Sequence, residues 1–133
     1  MNETLDTASS DVLVIDDDPI MRELVSDWLE AAGYRVRGAA DCAAGLAQMK
    51  LAAPALVVTD MCMPGASGAL AIARLRERRP GVRIIAISGR FDSGQGLSAE
   101  AALRAGAARA LAKPLKRKDI VGAVAELIGP PGA

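Results

Sequence analysis

Two hydrophobic periods alternate along the chain. Val12-Leu13-Val14-Ile15 is a continuous apolar run rich in β-branched residues, the pattern of a strand buried on both faces. It stops at Asp16-Asp17-Asp18-Pro19, after which Ile20, Met21, Leu24, Val25, Trp28 and Leu29 recur at helical spacing. Asp18 suits a helix N-cap, and Pro19 the first helical position, where a missing N–H costs nothing. Gly33 suits the closing position. The same unit then repeats.

Residues 34–37 predict a short, less apolar strand near an edge, followed by a helix over about 41–51. Residues 55–59 predict a buried strand ending at Asp60, with a helix over about 68–79. Residues 82–87 predict a fourth strand ending at Ser88. A Gly/Ser-rich loop over 89–98 leads into an Ala-rich helix that closes near Gly106. Residues 108–112 predict a fifth buried strand ending at Lys113-Pro114, and Ile120, Val121, Val124, Leu127 and Ile128 mark a last helix. Five β-α units of this kind predict an α/β fold, a doubly wound parallel sheet with helices on both faces. The expected division is a flexible polar segment at 1–10, one domain over 11–128 and a tail at 129–133.

Composition narrows the function. The 133 residues carry 16 Lys+Arg against 16 Asp+Glu, so the electrostatic footprint of a nucleic-acid binder is missing. With no His, Ser-His-Asp and Cys-His catalysis and the common zinc sites are excluded. Only three residues are aromatic, so the core must rely on close-packed aliphatic side chains. No apolar run approaches a membrane span and residues 1–10 do not read as a signal peptide, which predicts a cytoplasmic protein with Cys42 and Cys62 as reduced thiols.

In open parallel sheets, ligands bind beyond the carboxyl ends of the strands. Four of the five predicted strands deliver a polar group there: Asp16 and Asp17, Asp60, Ser88, and Lys113. Clustered carboxylates raise one another's pKa unless a cation sits among them, and an all-oxygen donor set favours a hard ion such as Mg²⁺. A carboxylate can also attack a phosphoryl group, whose oxygens an ammonium, a hydroxyl and Mg²⁺ together neutralise. The parts make a coherent phosphoryl site.

The stretches VLVIDDDPIMRELV (12–25), VVTDMCMPGASG (57–68), IIAISG (84–89) and GAARALAKPL (106–115) resemble, in order and spacing, the receiver domain of two-component response regulators. The resemblance covers residues 11–128 and implies a flavodoxin-like (βα)5 sheet of strand order 2-1-3-4-5. It implies Asp60 as the phosphorylated aspartate and a Mg²⁺ held by Asp16, Asp17, Asp60 and the backbone carbonyl of Cys62, with Asp17 the more direct ligand of the acidic pair. Ser88 matches the switch hydroxyl and Lys113 the lysine that pairs with the phosphoryl group. Pro114 matches a proline that often follows a cis bond, and Gly68 the glycine after the Met-Pro turn. The implied function is a stand-alone receiver, phosphorylated by a histidine kinase or phosphotransfer protein in a phosphorelay. It would assist its own phosphorylation and dephosphorylation without being an enzyme, and signal to a downstream protein target. No direct nucleic-acid or membrane partner is implied. A homodimer through the fourth and fifth β-α units is the family-level expectation. With no His in the chain, the phosphohistidine donor must be another protein.

Other roles fit other residues better. Asp18 reads as a cap, Trp28 and the methionines as packing, and the basic run at 74–79 as a solvated helix face. Ala110 stands where the family carries an aromatic ring that swings inward on activation, so readout by that route is in doubt. The Gly-rich loop at 89–98, with Phe91 as its only ring, is then the candidate carrier of the conformational change. The alternative reading is a degenerate receiver serving only as an interaction module. An aspartyl-phosphate phosphatase is disfavoured because Cys62 stands where a second acid is needed. A flavin protein is disfavoured because the first β-α loop is acidic and repels phosphate.

Overall fold

Strands and helices alternate through the described residues, which in this computed structural model are 11–61, 68–89 and 99–131. In chain order they are β1 (Asp11–Ile15), α1 (Pro19–Ala31), β2 (Arg35–Ala39), α2 (Cys42–Leu51), β3 (Leu56–Asp60), α3 (Gly68–Arg78), β4 (Arg83–Ser88), α4 (Ala99–Ala105), β5 (Arg109–Ala112) and α5 (Arg117–Ile128). The strands form one parallel sheet in the order β2-β1-β3-β4-β5. This is the doubly wound 2-1-3-4-5 arrangement that the resemblance implied. The order reverses between β1 and β3, and in open parallel sheets ligands bind beyond the strand ends at such a point.

Alternation along each strand divides the core into two layers. Val12, Val14, Leu56, Val58, Ile85 and Ile87 pack with Val25 and Leu29 of α1 and Ile120 and Val124 of α5. Leu13, Ile15, Val57, Ile84 and Ala86 face the other way, onto Met49 of α2, Ile72 and Leu75 of α3 and Ala102 of α4. Small side chains permit close approach: a Cβ on Gly45 of α2 would lie 2.5 Å from Ile15 Cδ1. Trp28 and Met21 lie partly buried against the first layer, in packing roles.

The helix ends follow local chemistry. Asp18 caps α1 by accepting from the Ile20 N–H at 2.9 Å, and Pro19 follows it. Gly33 closes the helix with φ +108°, its N–H donating to the Glu30 carbonyl. Asp41 caps α2 by accepting from Ala44 N–H. At the other end of α2, Arg37 donates to the carbonyls of Gln48 (2.9 Å) and Ala52 (2.8 Å) and pairs with Asp11 at 3.0 Å. The Gln48 carbonyl, which also accepts from the Ala52 N–H at 3.2 Å, and the Ala52 carbonyl beyond the helix end are thus both held by a strand side chain.

Two expectations change. Tyr34 lies before β2 rather than in it; its hydroxyl donates to the Gly129 carbonyl at 2.8 Å, tying the α1–β2 connection to the end of α5. The fifth strand was expected to be buried, yet β5 is a sheet edge with Arg109 and Ala112 exposed and Ala110 and Leu111 half-buried. Lys113 therefore follows an edge strand, because the strand order leaves β5 only one neighbour. The basic residues Arg74, Arg76, Arg78 and Arg79 are exposed, as a solvated face requires. Residues 1–10, Cys62, and the loop from 90 to 98 with Phe91 lie outside the described residues.

Candidate functional site

Each site residue is delivered by the end of a strand. Asp16 follows β1 and is 6% exposed; Asp60 ends β3 at 5%; Ser88 ends β4 and is buried. Asp17, next along the chain, is exposed at the mouth. Lys113 follows β5, and its N–H donates to the Ser88 carbonyl at 3.1 Å, carrying the β4–β5 ladder one residue beyond the strand. The Met61 N–H does the same toward Ile87 at 2.8 Å. These bonds hold the ends of β3, β4 and β5 side by side, so position along the strand becomes position in the site. The Lys113–Pro114 bond is cis. Gly68 is the buried first residue of α3.

The geometry joins the expected residues. Carboxylate oxygens of Asp16, Asp17 and Asp60 all lie within 4.8 Å of one another. Lys113 Nζ lies 3.3 Å from Asp60 Oδ2 and 4.0 Å from Asp16 Oδ2. Asp16 Oδ1 accepts from the Asp18 N–H at 2.9 Å. Three acids and one ammonium leave the rim short of positive charge. Burial pushes the Asp16 carboxyl up from an ordinary 3.8 to about 6. The Asp18 N–H opposes that rise, Asp60 adds to it, Lys113 counters it and Asp17 adds again. A group held so far above its ordinary range marks a place where a cation would relieve both burial and repulsion. An all-oxygen, carboxylate-rich donor set of this kind fits Mg²⁺.

Sequence reasoning overlooked one side chain. Arg22 Nη1 donates to the backbone carbonyl of Asp16 at 2.7 Å, from the first turns of α1. The available signal was Gly38, just past the predicted strand over 34–37 and inside the observed β2, where a glycine often marks a close approach by another group.

A family model, the response regulator receiver domain, matches residues 12–125. The chain belongs to this family. It is a receiver domain, a signalling domain of two-component systems, and receiver domains take a phosphoryl group on an aspartate and work with histidine kinases. The photosynthetic apparatus regulatory protein RegA of Rhodobacter capsulatus is 32% identical to it, over 90% of this chain and 65% of that protein. An uncharacterized 14.6 kDa protein of Leptolyngbya boryana is 34% identical, over 95% of this chain and 97% of that one. The crystal structure of a receiver domain protein from Clostridium thermocellum superposes with a TM-score of 0.80 at 28% identity, covering 90% of this receiver and 94% of that chain. The receiver spans about half to two-thirds of the length of the first curated relatives it matches. Among the described residues, no helix is long and apolar enough to cross a membrane.

Proposed function

We propose that Asp60 is the phosphoacceptor of this receiver and that Asp16, Asp17, Asp60 and the carbonyl of Cys62 hold Mg²⁺. The observation that carries the reading is Lys113 Nζ at 3.3 Å from Asp60 Oδ2, with the other two carboxylates gathered beside it. An Asp60 carboxylate oxygen forms the new O–P bond while the P–N bond to the donor's phosphohistidine breaks. The electron pair remains on the imidazole nitrogen. Bound Mg²⁺ would supply charge neutralisation for the phosphoryl oxygens. The Lys113 ammonium, now against the Asp60 carboxylate, would pair with one phosphoryl oxygen, and the Ser88 hydroxyl, on the neighbouring strand end, would donate to another.

The donor is a histidine kinase or phosphotransfer protein, since the chain has no His of its own. Its approach is supported by Ile20, which is 77% exposed two residues beyond the Asp18 cap, and by Leu24 one turn further on. Exposed apolar side chains beside a reaction centre suit a protein surface better than a small phosphate ester. Phosphorylation then alters contacts with a downstream protein. Ala110 is half-buried against the second core layer and offers no ring to swing, which supports the loop at 89–98 as the carrier of the readout. Similarity along nearly the full length of the 14.6 kDa relative supports the reading of a stand-alone receiver.

The test is incubation with acetyl phosphate or beryllofluoride and Mg²⁺. Wild type should gain the modification and Asp60→Asn should not. Equal labelling of both proteins would refute the assignment of Asp60.

A further inference from the structure

Gly38 sits inside the edge strand β2, opposite Val14 of β1, where glycine weakens a strand unless something approaches closely. Something does. A Cβ on Gly38 would lie 3.2 Å from Arg22 Cδ and 3.4 Å from Arg22 Cγ. The Arg22 stem thus crosses from α1 over β2 at its one position without a side chain. From there Nη1 donates to the Asp16 carbonyl at 2.7 Å. The Asp16 N–H is held from β2 as well, donating to the Ala39 carbonyl at 3.1 Å. Both peptide groups flanking the Asp16 Cα are therefore tied to β2, one directly and one through Arg22.

We propose that Arg22, seated on Gly38, is a positioning residue that sets the divalent-cation affinity of the acidic rim by fixing the backbone between Asp16 and Asp17. The inference rests on the reading that this rim holds Mg²⁺. Arg22 acts through geometry rather than through its charge. Its bond is to the Asp16 backbone carbonyl and not to a carboxylate oxygen. The Asp16 carbonyl belongs to the peptide that leads into Asp17, so its direction decides where the Asp17 carboxylate points relative to Asp16 and Asp60. Without the Arg22 bond, that peptide is free to rotate and the three carboxylates lose their common focus.

The test is Mg²⁺ titration by calorimetry of wild type, Arg22→Ala, Arg22→Lys and Gly38→Val, with urea denaturation of each protein in EDTA. Arg22→Ala should weaken Mg²⁺ binding by about tenfold, the low end for partners that orient metal ligands. Arg22→Lys keeps the stem and one donor and should recover most of the affinity. Gly38→Val should weaken binding comparably with Arg22 intact, because it displaces the stem. The substitution otherwise favours a strand and should leave stability unchanged or higher, which a merely structural role would not produce alongside weaker binding. Wild-type affinity in both Arg22→Ala and Gly38→Val would overturn the proposal. So would a Gly38→Val loss of affinity that only tracks a loss of stability. Failure of wild type itself to bind Mg²⁺ would overturn the metal reading and this inference with it, and the wild-type titration alone distinguishes that case.

Discussion

Asp16 makes the domain's stability depend on its own site chemistry. The carboxyl is buried, and its pKa rises from 3.8 to about 6 on folding. A carboxyl whose folded pKa lies above its unfolded value binds its proton more tightly in the native state. The contribution of this carboxyl to stability is therefore most favourable below about pH 4, is lost as pH rises from there through about 6, and stays lost above that. At about 1.4 kcal/mol per tenfold change in proton affinity, the ceiling on this penalty near pH 7 is about 3 kcal/mol. Asp16→Asn removes the charge while its side-chain oxygen can still accept from the Asp18 N–H. The 4.0 Å pairing with Lys113 that it also removes is already counted in the rise to about 6, so it does not lower the ceiling again. The expectation, below that ceiling, is a gain of about 1–2 kcal/mol at pH 7 in EDTA, or roughly 5 °C in Tm for a domain of this size. Urea denaturation of wild type and Asp16→Asn, followed by far-UV circular dichroism from pH 4 to pH 8, isolates the contribution of this one carboxyl. The difference should be near zero at pH 4, grow through pH 6 and flatten by pH 7.5. Mg²⁺ should then stabilise wild type and narrow the gap. A variant less stable than wild type at pH 7 in EDTA, or a difference independent of pH, would refute the reasoning.

Three further outcomes follow from single contacts. Lys113→Met removes the ammonium beside Asp60 and should slow phosphorylation by acetyl phosphate at least about tenfold, while calorimetry finds Mg²⁺ bound no more weakly than in wild type. Gly45→Ala forces a methyl group against Ile15 at 2.5 Å and should cost about 1–3 kcal/mol in urea denaturation, as overpacking does. Arg37→Ala takes one of two donors from the Gln48 carbonyl and removes the Arg37 donor from the Ala52 carbonyl and the Asp11 carboxylate. It should cost about 1–2 kcal/mol of stability with the phosphorylation rate unchanged.

Legibility in the sequence followed the physics of each element. Strands buried on both faces, such as β1 and β3, are written as unbroken apolar runs, and their polar terminators Asp16 and Asp60 identify the rim without coordinates. Caps at Asp18 and Gly33 were equally readable, because each depends on a residue's own side chain or φ. Edges were harder. The small residues of β5 look like a buried strand in one dimension, and only the strand order shows that one side has no neighbour. Long side chains acting at a distance left almost no trace. Nothing in the sequence sets Arg22 and Arg37 apart from other arginines, yet each bridges separate elements to reach backbone carbonyls. Gly38 was the one hint, and its meaning requires the position of the Arg22 stem. The acidic rim itself was legible because strand ends in a parallel sheet converge whatever their separation in sequence.

The most direct test of the account is to locate the phosphoryl group. After phosphotransfer from a phosphohistidine donor with Mg²⁺, borohydride reduction converts an aspartyl phosphate into homoserine, which tandem mass spectrometry assigns to one residue. The account predicts homoserine at Asp60 alone, and none when EDTA replaces Mg²⁺. Homoserine at Asp16 or Asp17, or its absence at Asp60 in a protein that has accepted the phosphoryl group, would contradict it.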